Sequence, residues 1–171
     1  SLDTSFDGDG KLTTNFGSDV YGNSIAMQTD GKILVAGYAY NNGNRDFALA
    51  RYNANGSLDT SFDGDGKLTT DFGLYVYSES RNYSITVQAD GKILMAGFAY
   101  NSSSGKSDFA LARYNVNGSL DTSFDSDGKL TTDFGSDDYG NSITLQADGK
   151  ILVAGSAMGD FALARYNSNG S

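Results

Sequence analysis

The chain contains no cysteine and no histidine among its 171 residues. Without cysteine, disulfide frameworks, thiolate metal sites and cysteine nucleophiles are excluded. Without histidine, the chain lacks the commonest general base, the usual zinc ligand and any Ser-His catalytic pair. These absences remove much of enzyme chemistry, so we expect a structural or binding module and not an enzyme.

Glutamate is nearly absent as well, since Glu79 is the one example. Strong helix formers are depleted, whereas Gly, Asn, Ser, Thr, Tyr and Phe are plentiful. This composition favours short strands joined by tight turns, and therefore an all-β fold. The length is that of a single domain with one core.

The net charge is −9, and the twelve Lys and Arg residues are spread along the chain and form no basic stripe. Nucleic acid and anionic membrane surfaces are therefore not expected as partners. No apolar run approaches the roughly 18 residues of a membrane-spanning helix, and we expect no signal peptide before Ser1. The sequence thus predicts no membrane insertion.

One pattern occurs three times, in copies that span 1–56, 57–118 and 119–170. Each copy begins with SLDTSF and also contains GKLTT, DGKIL and DFALARYN almost unchanged. The differences in length fall between these segments, as expected of loops between conserved strands. A period of this size is typical of propellers, solenoids and trefoils, so we treat 1–171 as one repeat domain.

Each copy is predicted to form a four-stranded meander. The predicted strands of the first copy are 24–28, 32–39, 46–52 and 57–62, the last formed by the SLDTSF of the next copy. Asp30-Gly31 reads as a two-residue hairpin turn with positive φ, and Asn55-Gly56 is a second hairpin signal. GKLTT is either a short fifth strand or a connector, and both interpretations stay open.

The middle strands favour one architecture. ILVAG at 33–37 and FALA at 47–50 are nearly continuous apolar runs, so both faces of the sheet are expected to be covered. Small sheets stacked face to face, as in a β-propeller, meet that requirement. A β-trefoil with three four-stranded repeats is the alternative, but its strands should alternate more clearly.

The repeat resembles the delta-60 repeats, a bacterial family of tandem units. The first copy carries its motifs as YNANGSLDTSF, GKLTTNFG and MQTDGKILVAG, and the resemblance covers essentially the whole chain. It implies a propeller-like architecture in secreted or cell-surface bacterial proteins. It brings no catalytic residues and no ligand with it.

Three units are fewer than the four to eight blades with which propellers close. The chain begins with a predicted fourth strand at 1–6 and stops just after a third strand at 160–166. Exchange of the N-terminal strand between two chains would complete a six-bladed ring. We therefore expect a homodimer.

The Asp-rich turns are the first candidate site, because oxygen ligands at alternate positions begin a calcium loop. The candidate ligands are Asp3, Ser5, Asp7, Asp9, Asp59, Ser61, Asp63, Asp65, Asp121, Ser123, Asp125 and Asp127. The match then fails, since the twelfth position is Thr14 and not Glu. The alternative is a structural turn whose carboxylates accept backbone N–H bonds, with no cofactor at all.

Two further sets of residues could bind a ligand. Arg51, Arg113 and Arg165 share one place in ALARYN, where they either line an anion-binding channel or pair with the Asp of LDTSF. Aromatic residues of the variable segments could stack on carbohydrate or pack in the core. They are Tyr21, Tyr38, Tyr40, Tyr75, Tyr77, Tyr83, Phe98, Tyr100 and Tyr139.

Three functions follow in order of preference. The first is a structural or protein-interaction propeller module of an exported bacterial protein. The second is a multivalent lectin-like module that binds a glycan at one weak site per repeat. The third is a hydrolase that uses a pair of Asp residues, for which no single acid is distinguished, because each prominent Asp recurs in every copy.

Overall fold

The computed structural model describes residues 1–41, 43–72 and 83–171, and Tyr75 and Tyr77 lie outside these ranges. The strands are β1 (Val20–Met27), β2 (Ile33–Asn41), β3 (Asn44–Tyr52), β4 (Lys67–Thr70), β5 (Ser84–Val87), β6 (Ile93–Asn101), β7 (Lys106–Tyr114), β8 (Lys129–Thr132), β9 (Tyr139–Leu145), β10 (Ile151–Ala157) and β11 (Asp160–Tyr166). Across these ranges we find no helix that is long and apolar enough to cross a membrane.

The strands form three separate antiparallel sheets, which we call blades one, two and three. Blade one has the order β1-β2-β3-β4, blade two β5-β6-β7-β8, and blade three β9-β10-β11. The prediction of an all-β propeller is confirmed. The trefoil alternative is wrong, because the sheets stay distinct and stack on one another instead of closing into one barrel.

The fourth strand comes from a different segment than predicted. Thr70 pairs with Phe47 and Lys67 pairs with Ala50, so GKLTT supplies β4. SLDTSF contributes only one isolated bridge, between Leu58 and Tyr52. The prediction of a strand at 57–62 is wrong because local hydrogen bonds turn this segment instead: Phe62 N donates to Asp59 O at 2.9 Å.

The predicted N-terminal strand at 1–6 is wrong for the same reason, since Phe6 N donates to Asp3 O at 3.1 Å in an equivalent turn. Residues 11–14, the KLTT of the first copy, take the place of a fourth strand instead. Thr14 Oγ1 lies 2.6 Å from Tyr52 Oη. Thr70 makes the same contact with Tyr114 on the next blade, at 2.8 Å. Blades one and two are each completed by a strand from the copy that follows in the chain, whereas blade three has three strands.

The hairpin loops between first and second strands contain three residues and not two. In blade one, Gln28 N donates to Lys32 O at 2.8 Å and Gly31 N to Gln28 O at 3.0 Å. Gly31 has φ 83°, whereas Asp30 does not have positive φ. This is a turn closed by a glycine in the left-handed region, which fixes the register of the two strands.

The core lies between blades, as the apolar runs predicted. One buried cluster joins blades one and two and includes Leu34, Phe47 and Met95. A second joins blades two and three and includes Leu94 and Phe109. Burial on both faces of the middle strands removes large apolar areas from water at roughly 25 cal/mol per Å². Stacking of neighbouring sheets is therefore the main source of stability.

Candidate functional site

An arginine near the end of the third strand joins neighbouring blades. Arg51 is 3% exposed, and its Nε donates to Asp59 Oδ2 at 2.7 Å. A terminal nitrogen donates to the carbonyl oxygen of Val116, which follows the third strand of blade two. The guanidinium carbon lies 4.5 Å from the centre of the Phe62 ring, and Lys32 Nζ is 2.9 Å from Asp59 Oδ2. The carboxylate is thus held by two cations.

The same arrangement occurs one repeat later. Arg113 Nε donates to Asp121 Oδ2 at 2.7 Å, and Lys92 Nζ lies 2.8 Å from the same oxygen. Arg113 also donates to the carbonyl oxygen of Ser168, beyond the third strand of blade three. Its guanidinium carbon is 4.7 Å from the centre of the Phe124 ring. We call each set of Arg, Lys and Asp a staple.

Arg165 occupies the equivalent position in blade three but is exposed. Within the described residues it has no ion pair, because no LDTSF turn lies beside it. The first LDTSF turn contains Asp3, which is exposed and has no ion pair with any residue that the structure describes. The arginine of a third staple is therefore present at one end of the row of blades, and its aspartate is present at the other end. Anion binding by the three arginines stays a prediction.

The candidate calcium ligands lie in three equivalent turns, where their oxygens accept local hydrogen bonds. The first Asp of each turn accepts the backbone N–H and the hydroxyl of the Ser two residues on, as in the pairs Asp3 and Ser5, Asp59 and Ser61, and Asp121 and Ser123. The last Asp accepts the N–H of the following Lys, as in Asp9, Asp65 and Asp127. The middle Asp has positive φ at Asp7, Asp63 and Asp125. In the described residues these turns bring no three carboxylates within 4.8 Å of one another. Calcium at the turns stays a prediction.

The staples have a clear electrostatic consequence. Burial acts to raise the pKa of Asp59, but the hydrogen bonds from Ser61 and Lys32 and the charge of Arg51 outweigh it and hold the pKa well below its usual range. The pKa of Asp121 is lowered in the same way. Both carboxylates are therefore ionised at neutral pH and contribute to stability in that form.

The aromatic candidates are placed unequally. Tyr40 is half-buried, receives hydrogen bonds from Arg45 at 3.1 and 2.7 Å, and packs edge-to-face on Tyr38. Tyr100 is half-buried in the equivalent place on blade two. Blade three has Met158 at that position. Carbohydrate binding at one site per repeat stays a prediction, and the aromatic side chains needed for stacking are not repeated in every blade.

The outer faces of blades one and three are apolar and exposed. Ile25 on β1 is 69% exposed, whereas its equivalents Ile85 and Ile143 are 7% exposed. Leu163 on β11 is 64% exposed, whereas its equivalent Leu111 is fully buried. Exposed apolar faces of this kind mark interaction surfaces. We call them the blade-one face and the blade-three face.

The blade-one face contains a groove of about 340 Å³ between the N-terminal segment and β1–β3. Its lining includes Phe16, which follows GKLTT in the first copy. The equivalent residue at the junction of blades one and two, Phe72, packs on Phe47 with the ring centres 4.7 Å apart. At the junction of blades two and three, Phe134 packs on Phe109 with the ring centres 5.0 Å apart. The groove therefore lies where a phenylalanine from a preceding blade would sit, and Phe161 on the blade-three face is fully exposed.

One acidic group lies apart from the staples and turns. Asp108 on β7, Asp133 after β8 and Asp138 before β9 each have a carboxylate oxygen within 4.8 Å of the others. Burial raises the pKa of Asp108, and the charges of Asp133 and Asp138 raise it further, against a hydrogen bond from Asn101. We call these three residues the junction triad, because they lie between blades two and three.

Sequence reasoning missed the junction triad, although one signal was present. The third copy reads DFGSDD where the first reads NFGSDV, so Asp133 replaces Asn15 and Asp138 replaces Val20. Departures from the repeat carry information that the repeat itself does not. The triad oxygens are closer than the roughly 5 Å or more between glycosidase carboxyl groups.

Comparison with known proteins identifies the repeat. A family described as a domain of unknown function (DUF5122) beta-propeller matches residues 28–62, 88–124 and 146–171, which together exceed half of the chain. The chain belongs to the DUF5122 β-propeller family. No curated protein matches it.

Each segment that matches the DUF5122 family carries staple residues. The first contains Lys32, Arg51 and Asp59, and the second contains the equivalent set. The third contains Arg165 without a following Asp of an LDTSF turn. The staple residues thus lie within the segments that match the DUF5122 family, whereas Asp133 and Asp138 lie between those segments.

Among solved structures, the chain is similar to a catalytically inactive virginiamycin B lyase from Staphylococcus aureus, crystallised with quinupristin. The sequence identity is 11% and the TM-score is 0.33, over 91% of this chain. The chain spans 58% of the length of the lyase chain. This degree of likeness identifies no activity for the DUF5122 propeller.

Proposed function

We propose that this chain is a non-enzymatic structural or protein-interaction module of an exported bacterial protein of the delta-60 type, and that a second copy of the chain completes its propeller ring. The match between its two open faces carries the proposal. The blade-three face has an exposed phenylalanine, and the blade-one face has a groove where a phenylalanine from a preceding blade would pack. Both faces are apolar, so association would remove both from water.

The expected contacts follow from those between blades within the chain. β11 lies at the edge of its sheet, and residues 11–14 occupy the place of a fourth strand without a sheet partner. By the register of β3 with β4, Leu163 of one copy would pair with Leu12 of the other. Phe161 would then enter the groove beside Phe16, as Phe47 packs on Phe72. Pairing of unpaired strand edges is a common route to dimers.

Charge complementarity supports the same arrangement. Arg165 of one copy would meet Asp3 of the other, because Arg51 meets Asp59 at 2.7 Å within the chain. Two such contacts related by a two-fold axis give a ring of six blades, within the range at which propellers close. The other Arg–Asp pairs of this kind, Arg51 with Asp59 and Arg113 with Asp121, already belong to staples that join blades, which supports a scaffold role over a catalytic one.

The test is a charge exchange across the proposed interface. Arg165→Asp alone and Asp3→Arg alone should each give monomers by light scattering, because each places like charges together at both interfaces. An equimolar mixture should give a dimer, since one interface then has the exchanged pair and the other keeps the native pair. Asp90→Arg, on the middle blade, is the control with the same charge change as Asp3→Arg and should remain dimeric.

Either of two results would overturn the dimer. Wild-type chain that stays monomeric at every concentration would remove it outright. Dimers of Arg165→Asp that match wild type in dissociation constant would show that the copies meet elsewhere.

A further inference from the structure

We propose that the junction triad, Asp108, Asp133 and Asp138, binds one calcium ion that links blades two and three. The residues come from two blades: Asp108 lies on β7 and Asp133 follows β8 in blade two, while Asp138 precedes β9 of blade three. One carboxylate oxygen of each lies within 4.8 Å of the other two. Two oxygens bound to a common calcium at 2.3–2.6 Å cannot be more than about 5 Å apart, so the spacing suits that ion.

An unsatisfied buried oxygen points to a missing ligand. Asp108 is 3% exposed, and its Oδ1 is buried without a hydrogen-bond partner. Its Oδ2 accepts a hydrogen bond from Asn101 at 3.1 Å. A buried charged oxygen without a partner is costly, so such atoms are normally hydrogen-bonded or coordinate a metal. A cation in the triad would supply that partner.

No side-chain cation in the described residues performs this role. The buried carboxylates of Asp59 and Asp121 each have an Arg and a Lys within 3 Å. The triad has no such ion pair, and Lys106 nearby donates to the carbonyl oxygen of Gly135 at 2.7 Å. The triad therefore differs from both staples, in which one buried carboxylate is paired with two cations.

The surrounding bonds hold the ligands in place and leave an entrance. Asp138 is fully buried, with Oδ2 accepting from Phe134 N at 2.6 Å and Oδ1 from Ser136 Oγ at 3.1 Å. Its own N–H donates to Ser107 O at 2.6 Å, which ties the loop to β7. Asp133 is exposed, so an ion and its remaining waters can reach the site from solvent. Oxygen-only ligands of this charge favour a hard cation.

Calcium binding is tested by titration calorimetry and thermal unfolding of the full chain freed of metal by chelator. Wild type should bind one calcium ion and melt at a higher temperature in its presence. Asp133→Asn should weaken binding by about tenfold or more, because loss of a ligand should cost at least as much as loss of a group that orients one. Asp137→Asn, in the same loop but outside the triad, should leave the affinity within about twofold, since the amide oxygen can still accept the Ser107 N–H bond.

A second variant separates ion binding from a purely structural role. Asp108→Asn removes the buried charge, so it should melt at a higher temperature than wild type in chelator and lose the calcium response. The proposal is overturned if wild type shows no heat and no melting shift up to about 10 mM calcium, above the range of weak extracellular sites. It is equally overturned if the response persists in both Asp133→Asn and Asp108→Asn, which would place the ion elsewhere, for example in the Asp-rich turns.

Discussion

Loss of the buried arginine of the second staple should cost about 3 kcal/mol of unfolding free energy. Arg113→Met removes the guanidinium but keeps an apolar stem over Phe124. Breaking a buried ion pair typically costs 3–5 kcal/mol. We expect the low end because Lys92 Nζ remains 2.8 Å from Asp121 Oδ2. For a chain of this length the melting temperature should fall by roughly 6–12 °C.

The assay is urea unfolding followed by circular dichroism, arranged as a double-mutant cycle with Asp121→Asn. Because the two side chains share one ion pair, the double variant should lose at least about 1.5 kcal/mol less than the sum of the single losses. Arg165→Met, measured at a dilution where the chain is monomeric, should change stability by no more than about 0.5 kcal/mol. A loss below about 0.5 kcal/mol for Arg113→Met, or strictly additive losses, would refute the staple.

Two further predictions concern acid stability and backbone packing. The folded pKa of Asp59 and Asp121 lies below the unfolded value of about 3.9, so their contribution is present above about pH 4 and is lost as the pH falls below it. Urea midpoints between roughly pH 2 and 7 should therefore fall less steeply in acid for Asp121→Asn than for wild type, and equal slopes would contradict this. Gly155→Ala should cost more than about 2 kcal/mol, because a Cβ there would lie 1.8 Å from the carbonyl oxygen of Tyr139. Gly159→Ala is the control, since Gly159 has φ 84° and no atom within 4 Å of an added Cβ, and it should cost only about 1 kcal/mol in the same unfolding assay. If the two variants lose the same free energy of unfolding, the close approach to Tyr139 does not limit the residue at position 155.

The architecture could be predicted because its main signal is local. The runs at 33–37 and 47–50 lack the alternation of a half-exposed sheet, and the structure covers both faces of the equivalent strands, β6 and β7, in the middle blade. The number of residues in the hairpin loop could not be predicted from the sequence. Asp30-Gly31 signals a hairpin, but the choice between two and three loop residues depends on strand twist, which the dipeptide does not determine.

The fourth strand was assigned to the wrong segment because two physical preferences compete in SLDTSF. Its apolar residues suit a strand, while the Asp and Ser side chains bond to their own backbone and favour a turn. The turn prevails, as the bonds from Ser61 to Asp59 show. GKLTT then supplies the strand, with Leu68 opposite Leu49.

Some contacts of the candidate sites could be predicted from the sequence, and others could not. The pairing of Arg51 with an Asp of LDTSF could be foreseen from opposite charges repeated in every copy. The contact with the Val116 carbonyl could not, because it joins residues 65 positions apart in sequence. The junction triad likewise depends on how two blades meet. Asp108 and Asp138 belong to different copies of the repeat, so the sequence of one copy does not indicate that they lie close together.

The most direct test of the proposed ring is the mass of the 171-residue chain in solution, measured by light scattering over a dilution series. The ring account predicts a species of twice the 18.1 kDa chain mass that dissociates to monomers only on dilution. A single species of 18.1 kDa at all concentrations would contradict it and leave both apolar faces exposed to solvent.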